Sequence, residues 1–206
     1  MMNINWAQLK IKLLEDIKVL PHFLRNPVQG MRHLPDWEWT TILVLQGIFA
    51  ISCSALANLI ERDFFGLVTG IVIGPLVNYL GIAVATGLFY YLFLFLFKRE
   101  IDFRRIYLHV LFSSIPLMIM GVVTYLLPPI ILIGLAAALL LLFVGFVDNF
   151  HIPPRPLRNV LLGLMAIHML YWGFQQVRIS AKHKSIHQRA TPESLDILEK
   201  ELNNDN

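Results

Sequence analysis

The chain has 206 residues, 56% of them hydrophobic and only 15% charged, against roughly 45–50% apolar and about 25% charged in ordinary soluble domains. With a mean hydropathy of +0.62 and its apolar residues in unbroken blocks, this composition excludes an ordinary cytosolic domain and describes a polytopic membrane protein. Seventeen Lys+Arg against 14 Asp+Glu is the modest basic excess carried by cytoplasmic loops of inner-membrane proteins, and it does not imply nucleic acid.

The first 39 residues carry nine charges, from Lys10 to Glu38, before any long apolar run begins. That is not the layout of a signal peptide, so the N-terminus is expected to be retained. Within it Trp6, Leu9, Leu13, Ile17, Leu20 and Leu24 recur at three- and four-residue spacings. They predict an amphipathic helix lying at the membrane interface, either on lipid or on the protein's own cytoplasmic face. Segment 1–39 is therefore expected to be an N-terminal amphipathic, cytoplasmic segment.

Charges and prolines then divide 40–176 into five expected spans, each near the ~20 residues that cross a bilayer. The first is 40–60, entered through Trp37 and Trp39 at headgroup level and closed by Glu61, Arg62 and Asp63. Residues 64–97 hold no charge, and 34 residues make roughly 51 Å of helix, too long for one straight crossing and too short for two. Pro75 predicts a short leading helix or a kink, with the span placed at 67–97. After the charged loop 98–105, Pro128-Pro129 divides another uncharged stretch into a hairpin of spans 106–127 and 130–147. The proline-rich loop at 148–158 leads to a fifth span, 157–176, anchored by Tyr171 and Trp172. A polar tail, 177–206, follows. In it Thr191-Pro192-Glu193 starts a short predicted helix. The expected fold is an all-α, five-helix transmembrane bundle.

Five spans put the termini on opposite sides. The N-terminal segment, second loop and fourth loop hold eleven Lys/Arg, the other side six. The positive-inside rule then places the N-terminus in the cytoplasm of a bacterial inner membrane.

FLRNPVQGMRHLPDWEW, GPLVNYLG and KREIDFRRIYLHVLFSSIP, the last with a Ser114-Ile115-Pro116 step, resemble corresponding segments of the YIP family. These are the Ypt/Rab-interacting five-span membrane proteins, and the likeness is to their short prokaryotic branch. It covers most of residues 20–176. It implies a membrane-organising or trafficking-associated role. The Asp-Leu-Tyr-Gly-Pro motif of the eukaryotic branch is absent, which argues against a Rab-type GTPase as partner.

Gly66, Gly70 and Gly74 form a small-residue ridge on one helix face, suited to close helix packing within the chain or between two copies. Gly134 and Ala138 are a weaker copy. All acids and all Lys/Arg fall in loops, ends or tails. An intramembrane charge, the usual mark of ion-coupled transport, is therefore missing. What remains inside the spans is a candidate polar cluster of Asn58, Asn78, His109, Ser113, Ser114 and His168, with Gln46 beside them. His168, midway down the fifth span, is the most interesting of these, although a neutral satisfied core histidine is its simplest account. Ser113 and Ser114 fit the satisfaction of carbonyls near Pro116 better than nucleophilic chemistry. Single Cys53 packs as a small hydrophobe. Asp148, His151, His183 and His187 do not make a convincing four-ligand zinc set. No catalytic, cofactor-binding or metal residues are expected, and no cofactor. The expected function is a non-catalytic scaffold that meets the lipid bilayer, anionic lipids in particular, or a second copy or membrane-protein partner. The competing reading is a small-solute transporter or channel using the intramembrane Asn, Ser and His groups.

Overall fold

The computed structural model describes residues 19–62, 64–124 and 126–187, with side chains as far as Arg178. Among them every regular element is an α-helix: α1 (Val19–Arg25), α2 (Pro27–Arg32), α3 (Trp39–Glu61), α4 (Phe64–Phe95), α5 (Phe103–Val122), α6 (Ile130–Phe150) and α7 (Pro154–His187). Five of these, α3 to α6 and the part of α7 from Pro154 to Arg178, are long and apolar enough to cross a membrane. The expected N-terminal amphipathic helix lies mostly outside the described residues, as does the short helix expected after Thr191. The chain divides into two compact units, residues 1–161 and 162–206. In the second, His168 stacks loosely on Tyr171 of its own helix at 6.5 Å, Gln175 donates to the Tyr171 hydroxyl at 2.8 Å, and Arg178 lies 5.7 Å above Phe174.

In the first unit α5 is the central element. Nine of its residues are buried, from Ile106 to Ile115, because it packs on α3, α4 and α6 together. Helix α4 is its opposite, exposing Val72, Leu76, Leu80 and Leu88, as a lipid-facing helix must. Helices α3 and α4 form an antiparallel hairpin through Arg62, whose left-handed backbone (φ 56°) ends α3 while its N–H reaches back to the Asn58 and Leu59 carbonyls. Gly70 and Gly74 seat this pair. A Cβ on Gly74 would lie 3.2 Å from Ser54 Cβ, and one on Gly70 3.4 Å from Asn58 Cγ. Gly66, one turn earlier, is half-buried. Between α5 and α6 the approach reaches the backbone, since a Cβ on Gly134 would lie 3.0 Å from the Leu117 Cα, and Ala138 on the same face is 6% exposed. The ridge read as the weaker copy is thus the one that brings a side-chain-free position against a backbone.

Three differences from expectation have local causes. Pro75 sits inside one continuous helix, α4, so of the two outcomes expected there, a short leading helix or a kink, the separate leading helix does not form. Proline removes only its own donor, and in lipid an α-helix is the conformation that satisfies the remaining backbone groups. Helix α5 ends at Val122, not near 127, through turn bonds from Val123 N–H to the Met120 carbonyl and Thr124 N–H to the Gly121 carbonyl. Trp37 is 4% exposed, its ring 5.3 Å from Phe112, so it is a core residue and not a headgroup anchor. Trp39, 40% exposed, keeps an amphipathic position against Tyr107.

Candidate functional site

The polar residues inside the spans occupy three separate places in the first unit. In the middle of α3 Gln46, 1% exposed, donates through Nε2 to Asn78 Oδ1 of α4 at 2.9 Å and accepts from the Tyr107 hydroxyl of α5 at 2.6 Å. Asn78 Nδ2 donates onward to Met118 Sδ at 3.6 Å, which Ser114 also reaches at 3.8 Å. One turn from this chain Tyr79 donates to the Leu43 carbonyl. One glutamine thus ties three helices, and both ends of its amide are used. Beside it a crevice of about 260 Å³, lined in part by Cys53, Ser54, Asn78 and Met118, opens between the same helices.

The second place is at the charged end. His109 is 5% exposed. Its Nδ1 lies 2.7 Å from the Arg105 carbonyl, an atom that only accepts, so Nδ1 carries the proton. Nε2 is then the acceptor for Asn149 Nδ2–H at 2.9 Å. The same Asn149 amide donates to the Met31 carbonyl at 2.7 Å, which fastens α2 to α5 and α6. Gly145 makes room for this fastening, because a Cβ there would lie 2.7 Å from Met31 Cε and 2.8 Å from His109 Cδ2. Around it Phe93 meets Phe146 edge-on at 4.8 Å, and the surface pair Arg32–Asp148 at 2.6 Å closes the outside. Asn149→Leu should move the 15N resonance of Nε2 downfield, towards that of an unbonded acceptor nitrogen, while the ring stays Nδ1-protonated, and should lower the midpoint of detergent unfolding by the equivalent of about 1–3 kcal/mol. An unaltered ring spectrum would show that Asn149 does not hold His109.

The third place is the far end of the α3/α4 hairpin, where Asn58 donates to the Ser54 carbonyl at 2.8 Å. Of the expected cluster, Asn78 and Ser114 share a partner, His109 and Asn58 stand apart from them, and Ser113 bonds its own helix at Val110. His168 belongs to the second unit. Gln46, noted but not singled out, is the hub. Tyr107, Asn149, Met31 and Gly145 were not read from the sequence. The only signal for Gly145 is that Gly134, Ala138, Leu141 and Gly145 fall on one stripe of α6.

All three loops at the charged end lie together. Arg104 pairs with Asp36 at 2.9 Å across 68 residues of sequence, and Arg99 donates to the Phe150 carbonyl at 3.3 Å. Between them is a crevice of about 470 Å³ at which Arg99, Glu100, Arg104, Arg105 and His151 meet.

These helices and their arrangement define an all-α, multi-pass integral membrane protein. The chain belongs to the Yip1 domain family, whose model matches residues 22–174, in accord with the resemblance carried by its 23–39, 74–81 and 98–116 segments. No curated protein and no solved structure gives a significant match to the chain.

Proposed function

We propose that this Yip1-family chain is a non-catalytic membrane-organising scaffold, set in a bacterial inner membrane with its N-terminus cytoplasmic. It keeps its shape by internal helix packing and meets anionic lipid headgroups, or a protein partner, through its charged end. The observation that supports this most is the distribution of charge over the first unit. At the end where α2, the α4–α5 loop and the C-terminal end of α6 come together, and in the first turns of α7 that follow in sequence, are Arg25, Arg32, Lys98, Arg99, Arg104, Arg105, Arg155 and Arg158, against Asp36, Glu38, Glu100, Asp102 and Asp148. The other end offers only Glu61 and Arg62 among the described residues. Positive charge of this kind is retained on the cytoplasmic side and attracts anionic lipid by about 1 kcal/mol per residue near the surface.

The crevice beside Asn78 favours the competing reading, a small-solute transporter. Both are addressed by reconstituting the full chain into proteoliposomes. Under the scaffold reading, anionic lipid is enriched around the protein, the enrichment weakens as salt rises, and neither protons nor small solutes cross faster than in empty vesicles. Flux that disappears on blocking the crevice with Gly121→Leu, a lining position where a Cβ meets nothing within 4 Å, would overturn the scaffold.

A further inference from the structure

We infer that the crevice between the α4–α5 loop and the C-terminal end of α6 is a binding site for the phosphate group of one anionic phospholipid, with Arg105 as its principal ligand and Arg99 beside it. The inference deepens the scaffold reading and rests on its lipid contact. Its first support is the guanidinium donors left over after pairing, in a crevice whose own carboxylates are Glu100 and Asp102. Asp36 and Asp102 lie 2.9 and 3.7 Å from Arg104, so that cation is already compensated. Arg99 spends one guanidinium nitrogen on the Phe150 carbonyl and keeps its other donors. Arg105 has no side-chain partner among the described residues, yet it lines the same crevice. Its position does not serve helix stability either, because a cation in the first turn of α5 is mildly unfavourable against the helix dipole. A guanidinium is a planar fork that fits two phosphate oxygens at once.

The second support is where the crevice lies. The next residue of α5, Ile106, is fully buried, and just before Arg99 on the chain are Phe95 and Leu96, 73% and 58% exposed. The crevice thus stands at the boundary between an apolar, lipid-facing surface and a charged rim. A phospholipid has both parts in that order, with acyl chains for Phe95 and Leu96 and phosphate for Arg105. A soluble phosphate offers only the second.

The test is native mass spectrometry of the full chain in detergent, titrated with phosphatidylglycerol, with phosphatidylcholine as the neutral control. The expected result is one phosphatidylglycerol retained well before others. Arg105→Gln should weaken that first binding roughly tenfold, the scale of one charged hydrogen bond. Arg105→Lys keeps the charge and loses the fork, so it should weaken binding several-fold. Because the Arg105 side chain holds nothing in the fold, both variants should melt as the parent does. If Arg105→Lys binds like the parent and lipids add without a distinct first one, attraction is diffuse: the site is overturned and the scaffold reading stands. If the parent shows no preference for phosphatidylglycerol, both are overturned. Inorganic phosphate and glycerol phosphate are added as competitors. No competition at millimolar levels supports a lipid, and displacement by either would keep the phosphate chemistry but overturn the lipid as its source.

Discussion

Phe112→Ala is expected to lower the stability of the first unit by about 3–5 kcal/mol, the range for removing a fully buried phenylalanine, and to release the segment before α3 from its seat. Phe112 is at 0% exposure and sits nine residues into α5, roughly 13 Å along the helix from its start. Two rings reach it there from the N-terminal segment, Phe23 of α1 edge-on at 5.0 Å and Trp37 at 5.3 Å. Lipid tails are as apolar as these rings, so what holds them is close packing and not exclusion from water. A void at Phe112 removes that packing from both. The measurements are the unfolding midpoint in detergent and the rate of protease cleavage within 19–38, which should rise, with Phe112→Leu intermediate. If cleavage stays at the parent rate while stability falls, the two rings are not what seats the segment.

Gln46→Leu is the second large effect. The substitution preserves volume and removes both hydrogen bonds, leaving the Tyr107 hydroxyl, on a residue 4% exposed, and Asn78 Oδ1 without their partner. An orphaned buried polar group costs about 1–3 kcal/mol, although interhelical hydrogen bonds inside membranes average nearer ~0.6 kcal/mol each, with a maximum of about 1.7. A loss of about 1–3 kcal/mol is therefore expected. The companion double variant Gln46→Leu/Tyr107→Phe, which removes the stranded hydroxyl as well, should recover a good part of it. Strict additivity of the two changes would mean that Gln46 and Tyr107 are not coupled.

The five crossings were legible because crossing a bilayer imposes a length and a polarity that any single sequence must obey. Their ends were legible to within a few residues where a charge or a proline pair stood, and less so at Val122, where turn hydrogen bonds ended the helix ahead of the prolines. The residues that carry contacts were legible only in kind. Gly70 and Gly74 could be read as packing positions, but that they receive Ser54 and Asn58 of the neighbouring span could not. Gln46, Asn78 and Tyr107 lie 32 and 61 residues from one another in the pairs they make, and nothing in the spacing of one chain couples them. His168 looked the more interesting histidine from its mid-span position, yet it is His109 that is bonded by Asn149 and seated in the room that Gly145 leaves.

From its own order of residues this chain determined its solvent. Long stretches without charge demand hydrocarbon, and the backbone there has to be helical. Which polar atoms would find partners, and whether Trp37 would face headgroups or Phe112, was decided only when α5 settled among its neighbours. A hydrogen bond depends on ångströms between residues far apart in sequence, whereas entry into a bilayer depends on the sum over some twenty residues side by side.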